Sequence, residues 1–395
     1  MPPQTPAAPA PMPSLRAASA VLLAGNFVVA CAVMVVPGML DQMAADLQVS
    51  VPRAGQLLSL AALAMCLGAP ALAALTTHMD RRRLLLGALL AVCVGHLACA
   101  AAPDYGTLAL LRPLSVLGAA VFTPQAAAAI GLMVPPAQRA TAVTTIFLGW
   151  SLASVVAMPM GSLVANALGW RAAFVLIALL ALLSAVALLR VIPRGLAAPA
   201  LSLRAWGEVA AHPRLRLILA ATLVWCAAQF TVLGYVAPAL RRFAGADVAA
   251  LALLMALQGL SGLGGAVLMA RQVGRIGADR GARRSLALVA AGLTLWSLAS
   301  LAGLGAAGMA LAVAVWGFGS FAFVSSQQAR LAVTAPELAS ASIALNSASL
   351  YMGQAVGAAL GGALVAGLGY AALGPAALLT ALLALALCVR ADRAA

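Results

Sequence analysis

The sequence of 395 residues is poor in charged side chains and contains no lysine. Charged residues make up 8% of the chain and hydrophobic residues 64%, with a mean hydropathy of +1.07. A soluble domain carries about 25% charged residues, because its surface must face water. So few charges do not cover the surface of a soluble chain of this length. The sequence therefore predicts a protein embedded in lipid.

Residues that catalyse reactions or bind metal ions are also scarce. The chain has nine acidic residues, three histidines and six cysteines, and no CxxC spacing. Because His78 and His212 fall in predicted loops, the sequence offers no cluster of the kind an intramembrane enzyme needs. We expect no enzymatic activity, no metal and no cofactor, and we expect the cysteines to be small packing residues. A receptor or scaffold without transport stays open at this point.

Charged residues divide the chain into apolar runs, and a membrane helix needs about 20 such residues. Two runs, 285–329 and 338–389, are too long for one span. The 45 residues of the first would make a helix of about 68 Å. Glycine-rich segments at 301–308 and 366–374 divide these two runs into four spans. The remaining runs are 17–40, 54–77, 84–103, 105–138, 140–170, 172–189, 217–240 and 248–270. The sequence thus predicts twelve transmembrane helices.

All 23 basic residues are arginines, and their positions predict the orientation. With the N-terminus in the cytoplasm, eighteen arginines fall in inner loops and tails, four fall in outer loops, and Arg112 lies within a span. This is a clear positive-inside bias, so we expect a multi-pass protein of the bacterial inner (plasma) membrane with both termini in the cytoplasm. The net charge of +14 is then explained without nucleic acid. Residues 1–16 are expected to form a disordered cytoplasmic tail, with the first span retained rather than cleaved.

The second part of the chain repeats the first at an offset of 200 residues. Gly161 falls on Gly361, and Trp170 falls on Tyr370. We expect an all-α polytopic membrane protein with twelve helices in two pseudo-symmetric six-helix halves. The predicted halves are 17–192 and 214–391, joined by a cytoplasmic linker at 193–213. Many secondary transporters are built from such repeats and rock one half against the other around a midplane site.

The stretch GWSLASVVAMPMGSLVANALGW at 149–170 places glycine and proline inside an apolar helix. Both residues are unfavourable in helix interiors. Small residues nevertheless let two helices approach closely in lipid. We therefore predict a moving contact between the halves, and a tightly packed static pair is the alternative. The residues of this predicted helix interface are Gly149, Pro159, Gly161, Gly357 and Gly361.

Three segments carry a resemblance to a known family. The loop GRIGADRGARR (274–284) resembles the cytoplasmic signature of the major facilitator superfamily. The run from Gly149 through MPMG (158–161) resembles the fifth-helix motif of the drug/proton antiporters in that superfamily. The segment 134–174 is similar to bacterial arabinose, purine nucleoside and chloramphenicol efflux permeases. The resemblance covers about 15–390, nearly the whole chain.

The resemblance implies a gating role for the loop at 274–284. Asp279, with Arg275 and Arg280, is expected to form an inner lock between the halves, which Arg283 and Arg284 extend. Such a carboxylate favours a helix N-terminus and pairs with arginine. The alternative is a solvated loop charge that only sets topology. The corresponding loop of the first half lacks the leading glycine and places Asp80 directly before an arginine, which leaves its role as a matching lock in doubt.

Polar groups inside spans are expensive and tend to face a cavity or each other. In the tenth span an aromatic and hydrogen-bonding stripe recurs at i, i+4, i+7 and i+11, which suits a small organic ligand. Packing alone is the alternative interpretation. The predicted substrate-cavity residues are Asn26, Arg112, Thr123, Trp225, Gln229, Tyr235, Gln258, Trp316, Ser320, Phe323, Gln327, Asn346 and Gln354.

Proton coupling has few candidates. None of the nine acids lies deep in a span, and Asp41, at the outer end of the first span, is the best placed. Arg112 resembles the fourth-helix arginine of the family and is the second candidate. It is interpreted either as an anion anchor and partner in proton release or as a snorkelling arginine near the outer surface. His96 lies in a span that the family places at the periphery, which favours packing or a lipid-side hydrogen bond.

The sequence as a whole favours a secondary active transporter that exports a small organic solute of drug, sugar or nucleoside type. Alternating access driven by proton antiport is the expected mechanism. A uniporter or uptake permease of the same fold is the alternative. The expected partners are the solute and the lipid bilayer, and the protein is expected to be a monomer.

Twelve spans with both ends inside predict a simple labelling pattern. Labels attached at residues 10 and 394 should react only from the cytoplasmic side, and labels in 101–106 only from the outside. Membrane-impermeant reagents applied to intact cells and to everted vesicles measure this. Opposite accessibility of the two ends would rule out the twelve-helix count.

Overall fold

The computed structural model describes residues 15–76, 78–135, 138–196 and 203–394, so nearly all of the predicted tail at 1–16 lies outside it. These described parts of the chain form helices and no strand. In these parts, twelve helical spans are long and apolar enough to cross a membrane, and one of them, Tyr105–Met133, consists of two consecutive helices. The twelve predicted spans are thus confirmed.

Two groups of helices are related by the internal repeat. The N-half is α1 (Leu15–Met34), α2 (Leu40–Asp46), α3 (Val51–Leu75), α4 (Arg81–Ala100), α5 (Tyr105–Ser115), α6 (Leu117–Met133), α7 (Arg139–Leu168) and α8 (Trp170–Val191). A short helix, α9 (Leu203–Ala211), lies within the predicted linker. The C-half is α10 (Pro213–Leu233), α11 (Val236–Ala244), α12 (Val248–Ile276), α13 (Ala278–Ala302), α14 (Gly305–Thr334), α15 (Ala339–Leu368) and α16 (Leu373–Arg393).

The repeat is visible in the local backbone. Helices α7 and α15 begin 200 residues apart, at Arg139 and Ala339, and they also end 200 residues apart, at Leu168 and Leu368. Each is followed by a glycine with a positive φ, +86° at Gly169 and +79° at Gly369. L residues rarely adopt this conformation, and glycine adopts it without steric cost. The aligned glycines therefore end the two equivalent helices in the same way.

Three predicted spans are broken in the structure. The run 17–40 divides into α1 and α2 around Pro37, which has no N–H to continue the helical hydrogen bonds. The equivalent run 217–240 divides into α10 and α11. The run 105–138 divides after Ser115, two residues beyond Pro113. The short helices α2 and α11 are therefore equivalent elements, each following a broken first helix of its half.

The glycines of the predicted helix interface lie within the halves, not between them. A Cβ added at Gly149 would lie 2.7 Å from the backbone nitrogen of Phe27, and at Gly161 2.7 Å from the carbonyl oxygen of Val35. These neighbours belong to α1 and to the residue that follows it. Pro159 lies inside the same helix, α7. The small face of α7 thus seats it against the first helix of its own half.

The C-half uses the equivalent glycines in the same way. A Cβ at Gly357 would lie 2.9 Å from the carbonyl carbon of Ala227, and at Gly361 2.5 Å from the carbonyl oxygen of Thr231, both in α10. The prediction that these residues form a moving contact between the halves is therefore wrong. Small residues are needed wherever two backbones approach closely, and the sequence does not say which helix is the neighbour.

Another face of α7 does meet the other half. A Cβ at Gly259 of α12 would lie 2.5 Å from the Cα of Val155, and it would also press on the carbonyl oxygen of Ser154. At this crossing the halves are in backbone contact. The fifth-helix segment was therefore placed correctly near the boundary between the halves, but on the wrong face.

The two ends of the helix bundle differ in how the halves pack. We call the end that carries the α3–α4 and α12–α13 turns the arginine-rich end, and the opposite end the α2–α11 end. One buried apolar cluster contains residues of both halves at the α2–α11 end, among them Val36, Leu40, Val236 and Leu240, and continues through the C-half as far as Cys388.

The arginine-rich end has separate apolar clusters. One contains N-half residues such as Leu84 and Ile130, with Tyr351 of α15 added from the C-half. The other contains C-half residues such as Ile218 and Leu331, together with Val209 of α9. The halves thus share a core that includes the α2–α11 end, whereas the other two clusters each consist mainly of residues of one half.

These contacts predict different effects for two glycine substitutions. Gly161→Leu should lower the yield of folded protein, because overpacking inside the N-half costs about 1–3 kcal/mol. Gly259→Leu should leave more folded protein but slow transport per folded molecule, because we expect alternating access to move the halves at this crossing. Detergent-stable yield and vesicle flux per folded molecule measure the two effects.

Gly131→Leu is the control, since a Cβ at Gly131 would have no neighbour within 4 Å. Its yield and flux should stay close to those of the wild type. Equal losses of yield in all three variants would contradict the assignment of these glycines to different contacts.

Candidate functional site

Arg112 is directed into the interior of the N-half. Its side chain is 1% exposed, and Nη2 donates a hydrogen bond to the carbonyl oxygen of Ala32 in α1 at 2.7 Å. Nη1 lies 3.2 Å from Nε2 of His96 in α4, and the guanidinium lies over the ring of Phe174 in α8, 5.4 Å from its centroid. The snorkelling alternative is therefore wrong, because the guanidinium binds groups on three neighbouring helices.

His96 is likewise fully buried, so the predicted lipid-side position is corrected. A guanidinium carries only donors, so Nε2 of His96 must accept the hydrogen bond from Arg112. The other ring nitrogen, Nδ1, then carries the proton and donates to the carbonyl oxygen of Val92 at 2.9 Å. Hydrogen bonding thus assigns a neutral imidazole in this conformation. Sequence reasoning missed the pair because sixteen residues separate its members.

A second N-half network joins α1, α6 and α7. Thr123 donates to Oδ1 of Asn26 at 2.6 Å, and Nε1 of Trp150 donates to Thr123 at 3.0 Å. Nδ2 of Asn26 donates to the carbonyl oxygen of Ile146 at 2.9 Å. Asn26 and Thr123 were predicted from the sequence, but Trp150 was not. Trp150 directly follows Gly149, where α7 packs closely against α1.

The predicted stripe on α14 does share one face, and that face contacts α10. Gln229 Oε1 accepts hydrogen bonds from Nε1 of Trp316 at 2.7 Å and from Oγ of Ser320 at 2.8 Å. The ring of Phe323 lies 5.1 Å from that of Trp225.

The last residue of the stripe makes similar contacts. Nε2 of Gln327 donates to Thr222 at 2.9 Å and to the carbonyl oxygen of Ile218 at 3.0 Å. The stripe therefore bonds and packs within the C-half in this conformation, and its contact with a substrate stays a prediction.

The other predicted cavity residues are buried too. Tyr235 donates to the carbonyl oxygen of Ala358 at 3.0 Å, and Gln354 is buried in α15. Among the predicted cavity residues, four buried polar atoms have no hydrogen-bond partner in the described parts: Nε of Arg112, Nε1 of Trp225, Oε1 of Gln258 and Oδ1 of Asn346. The last three lie on α10, α12 and α15 of the C-half.

A cavity of about 580 Å³ lies at the arginine-rich end of the N-half, between α1 and the α6–α7 turn. It is lined by Leu15, Arg16, Ser19, Ala20, Leu23, Val134, Gln138, Ala142 and Thr145. None of the thirteen predicted cavity residues lines it. No periodic pattern in the sequence indicates this cavity wall, because two distant segments of the chain form it.

Asp279 binds two arginines of its own half. Its Oδ1 lies 2.7 Å from Nε of Arg330 in α14, and its Oδ2 lies 2.9 Å from Nη2 of Arg214 in α10. Arg330 also pairs with Asp392 of α16 at 2.9 Å, and Arg283 pairs with the same carboxylate. Asp279 is thus not merely a solvated charge, because this network ties together four helices of the C-half.

The remaining arginines of the loop, Arg275, Arg280 and Arg284, are exposed. The lock between halves is not formed in this conformation among the described residues and stays a prediction. Arg330 is one of the eighteen arginines predicted to lie in inner loops and tails, yet its side chain is fully buried. The missed signal is its position three residues after Gln327, at the end of the polar stripe.

Asp80 acts within the N-half. Its carboxylate accepts from the backbone N–H of Arg83, which caps α4, and from those of Gly195 at 2.6 Å and Leu196 at 3.0 Å. The first-half copy of the loop thus anchors the start of the linker.

Asp41 lies at the α2–α11 end, where its Oδ2 is 2.9 Å from Nε of Arg241. This ion pair joins the N-half to the C-half. Asp41 therefore has a fixed cationic partner in this conformation, which the sequence did not indicate because two hundred residues separate the two side chains.

Comparison with known proteins identifies the class. Residues 22–347 match the model of the Major Facilitator Superfamily, and the chain belongs to this family of membrane transporters. It is accordingly a transporter and not an enzyme. Two solved structures of a bacterial homologue of the human lysosomal transporter Spinster, both inward-facing, share the fold with TM-scores of 0.72 and 0.74. Each covers 96% of both chains at 18% and 17% identity.

Relatives by sequence have narrower names. The chain is 30% identical to the inner membrane transport protein YdhP of Escherichia coli K12 over 83% of both chains. It is 32% identical to a chloramphenicol efflux pump of Mycobacterium tuberculosis over 67% of this chain and 64% of the pump. It is 27% identical to a probable sugar efflux transporter of Mannheimia succiniciproducens over 82% of this chain and 80% of that one.

The Arg112–His96 contact predicts a stability effect that depends on the acceptor. His96→Leu should destabilise the folded protein by about 1–3 kcal/mol, because it removes a hydrogen-bond acceptor from a buried cation. His96→Gln should retain most of the stability, because its amide oxygen accepts. The thermal unfolding midpoint of the detergent-solubilised protein is the measurement. His78→Leu, at an exposed turn, is the control, and equal midpoints for His96→Leu and the control would contradict the assignment.

Proposed function

We propose that this transporter exports a small organic solute of drug, sugar or nucleoside type across the inner membrane by alternating access coupled to proton influx. The observation that carries the proposal is the asymmetric packing of the halves, which are joined at the α2–α11 end by a shared core and an ion pair, whereas the other two apolar clusters each belong mainly to one half. This is the arrangement expected of a rocking carrier open at one face. The efflux functions in the names of two relatives support the direction.

The positions of the arginines support the proposed orientation in the membrane. Eighteen of 23 arginines fall on one side under the predicted topology, and the positive-inside rule assigns that side to the cytoplasm. Both termini then lie in the cytoplasm. The arginine-rich end faces the cytoplasm and the α2–α11 end faces outward. With this orientation the shared core would lie on the outer side of the proposed carrier, which suits loading of a solute from the cytoplasm.

Neutral hydrogen-bonding groups supply the proposed substrate contacts. Trp225, Gln258 and Asn346 each have an unpaired buried polar atom, and they add one donor and two acceptors on three helices of the C-half. A solute with hydroxyl or amide groups is the kind that would replace these missing partners. The stripe on α14 would contribute if its hydrogen bonds to Gln229 and Thr222 exchange during transport.

For proton coupling we retain Arg112 and Asp41 as the candidates. Arg112 is the more informative one, because its buried guanidinium binds the imidazole of His96 directly and also holds a carbonyl of α1. The alternative of a uniporter or uptake permease is favoured by the positions of the acids, which lie in loops and at helix ends.

Flux into everted vesicles tests the proposal. Vesicles that contain the protein should accumulate a compound from a panel of amphenicols, sugars and nucleosides, and accumulation should collapse when a protonophore removes the gradient. Vesicles without the protein are the control. Flux that equilibrates equally with and without a gradient would replace antiport by uniport, and absence of flux for the whole panel would contradict the substrate class.

A further inference from the structure

Helix α2 is fixed at its two ends to different halves. At its C-terminal end, Asp46 accepts a hydrogen bond from Nε1 of Trp170 at 2.9 Å and pairs with Arg171, both at the start of α8 in the N-half. At its N-terminal end, Asp41 pairs with Arg241 of α11 in the C-half. One short helix therefore carries one ion pair within a half and one between the halves.

The pair between the halves is partly shielded from water. The side chains of Asp41 and Arg241 are 19% and 34% exposed. Gln42 completes the contact: with its amide oriented to satisfy both groups, it donates to Oδ1 of Asp41 at 2.6 Å and accepts from Nη2 of Arg241 at 3.1 Å. A charge pair that is partly removed from water is screened less than an exposed one.

The apolar side chains around this pair bind the same two elements. Val36 and Leu40 on the N-half side and Val236 and Leu240 on the C-half side are fully buried in one cluster. Opening the α2–α11 end would expose this cluster and separate Asp41 from Arg241. The two events are therefore linked by geometry.

We propose that Asp41, Gln42 and Arg241 form a latch between the equivalent short helices α2 and α11 that stabilises the conformation closed at the α2–α11 end. The latch sets the balance between the two faces of the carrier and does so without substrate. Removing either charge shifts the population toward the conformation open at this end, because the closed state loses an attraction that the open state lacks. The latch concerns the conformational equilibrium alone and goes beyond the proposed export function.

A buried reporter residue makes this measurable. Leu58 of α3 is 1% exposed, and a Cβ at Gly234 of the C-half would lie 3.2 Å from its Cδ1. Leu58→Cys thus places a thiol between the halves at the α2–α11 end, where it reacts only when this end opens. The six native cysteines are at most 9% exposed and give the background.

The experiment measures the rate of maleimide labelling of full-length Leu58→Cys protein in nanodiscs, with no substrate present. Asp41→Asn and Arg241→Gln should each raise the rate about fivefold or more, the lower end of typical coupling between sites. Asp41→Arg combined with Arg241→Asp should bring the rate back toward the parent value, because the exchanged charges attract again. This rescue distinguishes a latch from a local loss of folding.

Asp46→Asn is the matched control, because its ion pair lies at the same end but within the N-half. It should leave the labelling rate unchanged. Parent-like rates in both single charge variants would overturn the latch, and so would an equal increase in Asp46→Asn. Because the readout needs no transported solute, failure of the latch and failure of the proposed export function are separate results.

Discussion

The hydrocarbon core of a membrane offers no water, so each polar group within it must find its partner inside the protein. This constraint accounts for the main contacts of both halves. Arg112 is held by a carbonyl of α1, by His96 and by an aromatic ring, and Gln229 accepts from two side chains of α14. The same contacts position the helices, because each joins segments that are distant in the chain.

The two halves have the same helix packing, but their charged residues have different partners. The glycine faces of α7 and α15 are equivalent and make equivalent contacts, with α1 and α10 respectively. The charged groups are not equivalent. Asp80 holds the start of the linker by backbone hydrogen bonds, whereas Asp279 binds two arginines within the C-half. The duplicated helices supply a common frame, and the polar residues make each half distinct.

The first helix of each half is broken near one end, and the two short helices that follow form the contact between the halves there. Each half ends its first helix early and adds a short segment, α2 or α11, and the two segments meet at the closed end. Apolar burial stabilises this contact, since Val36, Leu40, Val236 and Leu240 of the shared cluster are fully buried. The ion pair between Asp41 and Arg241 makes this contact specific, because it requires these two side chains to face each other.

The number of spans, the repeat and the family were determined by the sequence. Span length and charge placement are local properties, and Gly169 and Gly369 end equivalent helices for a local steric reason. The fact that the α14 stripe shares one face followed from helical periodicity. The partners of these residues were decided only by the tertiary structure. Gly161 meets Val35, and Asp41 meets Arg241, because helices far apart in the chain are brought together by packing, which no local pattern specifies.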